Sequence, residues 1–469
     1  MAVSRNTYAI GIACLLCFGC TRVPQADDCR VASIISQKID KGIQWSQGCY
    51  EDEQVHCAVQ SLLEQELVID SAVQIALLNN PEIQAIFEEI GIAQAELVQA
   101  GLFQNPIFDA YVRFPDHHSL QLNTAFSVTQ SFLDIFLIPL RKKIASVELE
   151  QTYLRVANAA LNLAFDVQET FYNLQAEQIK QKLLSSLVQA TDAANQLTVV
   201  QREQGNINDL ELQSRMNEYL ESKIAFATSQ VELIRLRERM NKLLGLSSWG
   251  LCWQIINDLP ALPEEEIPAE CLESVALSQR LDLEVARREV ERIARMLGVK
   301  QWWAYTNIAA GISTEHEAEG FQETGPDFSG AIPIFNYGQA DRARLYAMYR
   351  QSQARQKALE IEVLSEVRAA REQLLVNRNL VLAYQKELLP LQGQIVSMSQ
   401  RFYNTMALSV YKLLDAKRKE LQMQINYKLN LKNYWISRVE LDRALGGSLS
   451  LAIESYRQSI CCETVEESQ

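Results

Sequence analysis

Between Arg141 and Gln204 the chain carries neither proline nor glycine, and Gln339–Leu389 is equally free of both up to Pro390. Neither run contains a residue that forces a turn, so each is read as helix. Some sixty helical residues reach about 95 Å at ~1.5 Å per residue, whereas globular helices usually end near about 20 residues. A helix that long needs a parallel or antiparallel partner, as in a coiled coil. Ile144, Val147, Leu154, Leu161, Phe165, Tyr172, Ile179 and Leu183 form the matching apolar stripe, in steps of three, four or their sum. The Gln, Asn and Ala residues between them suit a helix wall wetted on its other side. With only 18 Gly and 11 Pro in 469 residues, long helices are the expectation for most of the chain.

The order of features is written twice, with an offset near 200 residues. Ala76-Leu77 followed by Pro81-Glu82-Ile83 answers Ala276-Leu277 followed by Leu281-Asp282-Leu283. Each opens a helix running to about Ala100 or Val299, then two alternating stretches, a long helical run, a break and another helix. The breaks fall at Gly205-Asn206 and Asn404-Thr405.

The alternating stretches are Pro106–Phe114, Ser119–Gln130, Trp303–Ser313 and Asp327–Phe335. In the second, Leu120, Leu122, Thr124, Phe126 and Val128 oppose Gln121, Asn123, Ser127 and Thr129. In the later two, Ile308 and Ile312, then Phe328, Ile332 and Ile334, mark the apolar side. Period two with one polar side is a strand with one wet face, and about 9–12 residues suit a tilted strand crossing a bilayer. The polar stretches Pro115–His118 and Thr314–Thr324 are read as extracellular loops. Four strands cannot close a barrel, and lipid tolerates no open sheet edge, so the chain is expected to oligomerise. Three copies give twelve strands, within the range of outer-membrane barrels.

The N-terminus reads MAVSRNTYAIGIACLLCFGCTR: Arg5 is a positive n-region, Tyr8 to Phe18 an apolar h-region, and Gly19-Cys20 a cleavage point. It resembles a bacterial lipoprotein signal, which makes Cys20 the acylated residue; acylated or simply cleaved, the start directs export. Seven cysteines follow: Cys29, Cys49, Cys57, Cys252, Cys271, Cys461 and Cys462. An oxidising periplasm permits disulfides, and Cys252 with Cys271 would staple the connector LPALPEEEIP between them. The odd total leaves one thiol unpaired or intermolecular. No metal site is expected, because no CxxC and no His lies at ligand spacing. His117, His118 and His316 fall in the expected loops. A formal charge of −14 removes the electrostatic basis for nucleic-acid binding. There is no Ser-His-Asp order and no Gly-rich phosphate loop, so neither catalysis nor a cofactor is expected.

These residues together resemble the TolC-like outer-membrane efflux family over roughly Glu66 to Gly447. Three stretches carry the resemblance: NNPEIQA at Asn79–Ala85 with AGLFQNP at Ala100–Pro106, FSGAIPIFNYGQADRAR at Phe328–Arg344, and RFYNTMALSVYKLLDAKRKEL at Arg401–Leu421. The last is closest to members serving heavy-metal efflux pumps. The resemblance implies a mainly α fold with a small transmembrane β part. Long coiled-coil helices would form a periplasmic tunnel, and each subunit would give four strands to a trimeric 12-stranded β-barrel.

The expected organisation is a signal peptide at 1–19, a lipid-anchored periplasmic segment at 20–64 and a first repeat at 65–250 with strands at 106–130. An equatorial connector at 251–270, a second repeat at 271–447 with strands at 303–335, and a tail at 448–469 complete it. The resemblance places Asp415 in a pore constriction; three residues earlier, where a second family aspartate can occur, this chain departs with Lys412, which could pair with Asp415 and weaken an acidic ring. It places adaptor docking at Gly205, Asn206, Asp209 and Leu210 on one tip and Asn404, Met406 and Leu408 on the other. The expected function is passive conduction of heavy-metal ions or drugs to the outside. Expected partners are two further copies, a periplasmic adaptor, an inner-membrane pump of RND or ATP-driven type, and outer-membrane lipid. The alternatives are a lipid-anchored periplasmic coiled-coil scaffold and the exit duct of a type I secretion system.

Overall fold

The structure is a computed structural model that describes residues 23–24, 26–48, 50–114, 122–132, 134–247, 253–264, 271–299 and 308–454. Cys20, Cys49, Cys252, Cys461, Cys462, His117 and His118 lie outside these residues. The first half contains α1 (Cys29–Ile39), α2 (Tyr50–Leu63), α3 (Ile69–Asn79), α4 (Pro81–Ala100), β1 (Ile107–Arg113), β2 (Asn123–Ser131), α5 (Asp134–Glu203) and α6 (Asp209–Leu244). The second contains α7 (Leu272–Gln279), α8 (Leu281–Val299), β3 (Ile308–His316), β4 (Gln322–Gly330), α9 (Gln339–Ala383), α10 (Leu389–Asn404) and α11 (Val410–Leu445). The chain divides into two compact units. One comprises Met1–Asp27, Glu88–Tyr153 and Ala286–Ala354; the other comprises Asp28–Phe87, Leu154–Val285 and Arg355–Gln469.

The first unit is organised around a four-stranded antiparallel sheet in the order β1-β2-β3-β4. Its register places Phe108 opposite Val128 and Val128 opposite Ile312, while Phe126 faces Ala110 and Thr314. The strands of the second half sit nearer their hairpin than expected. β3 extends to His316 and β4 begins at Gln322, so the turn is Glu317–Phe321 and His316 is a strand residue, not a loop residue. Ile332 and Ile334 consequently fall beyond β4. The polar residues of 314–316 and 322–324 hid this extension, because cross-strand pairing at a hairpin end depends little on hydrophobicity.

In the second unit the duplication becomes geometric. α6 and α11 are each 36 residues long and start 201 residues apart. Each ends on a left-handed glycine, Gly245 (φ 71°) and Gly446 (φ 76°). Both glycines press against the corner between a short helix and the next. A Cβ on Gly245 would lie 2.4 Å from the Asn79 carbonyl oxygen, and one on Gly446 3.0 Å from the Arg280 Cα. The first corner is the NNPE motif at work. Asn80 Oδ1 accepts from the Glu82 N–H at 2.8 Å to cap α4, and Pro81 fills the first helical position, where no donor is needed. The Asn79 and Asn80 side-chain amides donate to the Leu244 and Leu243 carbonyls at the end of α6.

The long helices are continuous where the sequence leaves room for doubt. α5 begins at Asp134 and contains Pro139. At Pro390, which lacks a donor, the second-half run does not stop. A single π turn over Tyr384–Leu388, with the Leu389 N–H bonded to the Tyr384 carbonyl, joins α9 to α10. Leu184 and Leu187 of α5 pack on Leu421 and Ile425 of α11, with Phe226 of α6 against them. The connector then crosses these helices. Leu67 and Ile255 form a parallel bridge, Gln175 donates to the Ile256 carbonyl, Trp435 to the Pro260 carbonyl and Arg378 to the Glu264 carbonyl. The connector thus meets α5, α9 and α11 through its backbone oxygens, which satisfies carbonyls that no sheet pairs.

Candidate functional site

Two places bear on function, one in each unit. In the first unit, β1 and β4 are the edges of the sheet, with no strand beyond them among the described residues. One sheet face carries Phe108, Phe126, Val128, Ile312 and Phe328, all exposed, the last to 75%. The other face is polar. Glu315 accepts from the Tyr111 hydroxyl at 2.9 Å and the Asn123 amide at 3.1 Å, and the Arg113 guanidinium lies over the Tyr111 ring. A sheet apolar on its bare face and wet on the other suits lipid on one side and water on the other. No helix among the described residues is long and apolar enough to cross a membrane.

In the second unit, α5 turns into α6 and α10 into α11 through two tips of one design. At the first, Gly205 (φ 76°) donates to the Arg202 carbonyl and Asn206 to the Gln201 carbonyl. At the second, Met406 (φ 58°) donates to the Tyr403 carbonyl and Ala407 to the Phe402 carbonyl. Both are Schellman turns, which need a left-handed residue, normally glycine. Met406 holds that conformation at a cost of about 1–2 kcal/mol while its side chain is 96% exposed. Leu210 is also exposed, and Asp209 pairs with Arg202 at 2.5 Å.

Behind the tips lies a charged cluster. Arg215 of α6 donates to Asp415 of α11 at 2.7 Å and also meets Glu211 and Glu218 of its own helix. Its guanidinium stands 5.4 Å from the centroid of the Tyr411 ring, and the Tyr411 hydroxyl donates to Gln201 of α5 at 2.7 Å. Partial burial disfavours the Arg215 charge. The hydrogen bonds it donates to Asp415 and Glu211 outweigh that, holding its pKa above the usual arginine value. Two helix pairs are thereby tied by polar links.

No family model matches the chain. The cobalt-zinc-cadmium resistance protein CzcC of Cupriavidus metallidurans is 21% identical over 391 residues, covering 81% of this chain and 90% of that protein. Among solved structures, a CusC structure from work on transmembrane channel formation superposes with a TM-score of 0.66 at 18% identity, over 81% of this chain and 92% of CusC. The Campylobacter jejuni CmeC outer-membrane channel gives 0.68 at 14% identity, over 92% of this chain and 94% of CmeC. The chain has the TolC-like outer-membrane channel fold. The open-state MtrE outer-membrane channel of Neisseria gonorrhoeae agrees, with a TM-score of 0.64 at 14% identity over 81% of this chain and 89% of MtrE.

Within this TolC-like fold the expected residues separate. Gly205, Asn206, Asp209 and Leu210 occupy the first tip and its following helix start, and Asn404, Met406 and Leu408 occupy the second. Asp415 lies on α11, but its cation is Arg215, not Lys412. Lys412 is exposed and has no acidic partner among the described residues. Three positions along a helix place Lys412 beside Asp415, yet the Arg215 fork arrives from the facing helix and forms the bond. Cys271 is a free, exposed thiol in a left-handed backbone (φ 63°), so the expected staple to Cys252 is not seen at the end that the structure describes. Arg215 and Tyr411 were not singled out in the sequence. The 201-residue offset held the signal, since it sets residues 215 and 415 at nearly equivalent positions on the two return helices.

Proposed function

We propose that the chain belongs to the TolC-like efflux family and is one subunit of a trimeric outer-membrane channel. Each copy contributes four strands to a 12-stranded barrel and its helices to a periplasmic tunnel. The supporting observation is the four-stranded sheet whose two edges are unpaired among the described residues and whose apolar face is exposed, an arrangement that is costly in water and complete only when further copies close it. The division into repeats at 65–250 and 271–447, flanked by a lipid-anchored segment beginning at Cys20, is the organisation we adopt. Cargo passes from an inner-membrane pump through a periplasmic adaptor that meets the two tips. The name of the CzcC relative favours heavy-metal ions as that cargo.

Asp415 is the proposed constriction. Because its carboxylate is held by Arg215, the constriction acts as a latch between helix pairs more than as a bare acidic ring. The test is Phe126→Arg. An arginine on the lipid face costs about 2–4 kcal/mol at the bilayer midplane. The variant is expected to leave the outer-membrane fraction and the trimer, while Ser127→Arg on the opposite face retains both. Normal membrane assembly of Phe126→Arg would refute the reading.

A further inference from the structure

Both strand-to-helix passages of the first unit pass through the same change of chemistry. β2 ends at Ser131, and Ile135 and Phe136 follow it, exposed, on the first turn of α5. Lys142 and Lys143 come seven residues after them, also exposed. Seven residues are nearly two helical turns, so Lys142 stands under Ile135 and Lys143 under Phe136, about 10 Å along the axis. β4 ends at Gly330, and Phe335, 90% exposed, precedes Tyr337, Arg342 and the exposed Arg344. The Arg342 guanidinium lies 5.8 Å from the Tyr337 ring centroid, on the strand side of its helix start.

The cations are available. Among the described residues Lys142, Lys143 and Arg344 have no acidic partner. In the same unit, Arg288, Arg292 and Arg295 of α8 are all tied to glutamates of that helix. A Cβ on Gly101 would meet the Lys142 Cε at 3.3 Å, so this side chain runs along the end of α4, close in sequence to the exposed Phe103. A chain of formal charge −14 would be repelled by an anionic surface unless it carried such a local exception.

We propose that the two passages form a collar that binds anionic phospholipid headgroups of the periplasmic leaflet. Lys142, Lys143 and Arg344 meet the phosphodiester, and Phe136, Phe335 and Tyr337 lie in the headgroup layer. The inference rests on the channel reading, which puts the strand-to-helix passages on the periplasmic side of the membrane. Aromatic rings settle at that depth because they are apolar with polar edges, and long basic side chains extend from the helix to the phosphates. Charge complementarity selects anionic over zwitterionic lipid, each basic residue at such a surface contributing roughly fivefold in affinity.

The test uses full-length protein reconstituted in nanodiscs of phosphatidylcholine containing about one-third phosphatidylglycerol, with native mass spectrometry of the lipids that stay bound after release into detergent. Wild type is expected to retain phosphatidylglycerol in preference to phosphatidylcholine. Lys142→Gln/Lys143→Gln/Arg344→Gln is expected to lose that preference by at least about tenfold. The charge-matched Lys223→Gln/Lys357→Gln/Lys386→Gln, on α6, α9 and the π turn, is expected to keep it. Equal retention of both lipids by wild type, or equal loss in both triple variants, overturns the collar and leaves the channel standing. Failure of wild type to enter the bilayer as an oligomer overturns the channel reading and the collar with it.

Discussion

Replacing Arg215 by alanine removes the closer of two cations that link α6 to α11, the other being Arg418, 3.8 Å from Glu218. What Arg215 itself supplies across the two helices is a single charge-assisted hydrogen bond, to Asp415 at 2.7 Å. Such bonds contribute about 1.5–3 kcal/mol, with the lower half of the range apt here because Asp415 is one-third exposed. The stacking on Tyr411 adds about 0.5–1 kcal/mol, so opening of the tip becomes easier by about 2–3 kcal/mol, or roughly 30- to 150-fold. Hydrogen exchange of the amides in 211–220 and 410–420 measures this directly, because exchange there reports local opening. Asp415→Asn should accelerate the same amides, and the double variant should fall short of the sum by about 1 kcal/mol. In a planar bilayer Arg215→Ala should conduct more than wild type. Strictly additive single effects, or faster exchange spread evenly along α6 and α11, would show that the pair is no latch.

Gly245→Ala should destabilise the second unit by at least about 3 kcal/mol, because its left-handed φ of 71° and a Cβ 2.4 Å from the Asn79 carbonyl both oppose a side chain. Gly298→Ala, whose Cβ meets nothing, should be neutral or stabilising by about 0.5–1 kcal/mol in the same thermal melt. Burial raises the pKa of Asp442 to about 6, against the opposing effects of Arg438 and the Leu449 N–H. A carboxyl that binds its proton more tightly when folded adds stability at low pH and loses it as pH rises. Between about pH 4 and pH 6 the second unit should therefore lose about 2–3 kcal/mol. Asp442→Asn keeps an acceptor for Leu449 and should flatten that slope, which denaturant melts at several pH values would reveal.

The long helices were legible because they rest on an absence, the lack of Pro and Gly, and the first hairpin because its faces alternate cleanly. The second hairpin was misplaced by several residues. Its end, Ser313–His316 paired with Gln322–Gly325, is polar on both faces, and only backbone pairing makes it strand. Pro390 shows a limit of a different kind. A proline in sequence signals a helix end, but one extra residue in the preceding turn reroutes the backbone bonding and the helix continues. At the tips, glycine announced the first left-handed turn. The second is made by Met406, a residue type that gives no warning of φ above zero. The partner of Asp415 lay 200 residues away and could be named only by taking the repeat as a ruler.

That ruler has an evolutionary consequence. Two return helices of 36 residues, each seated on its own helix corner at one end and on a tip at the other, must keep pace with each other. Deleting four residues from one alone would retract its tip by about 6 Å and rotate its face, separating Arg215 from Asp415. Insertions and deletions should therefore survive among homologues only in matched pairs, one in each half and of equal length. Loop lengths between the strands carry no such bond and are free to drift.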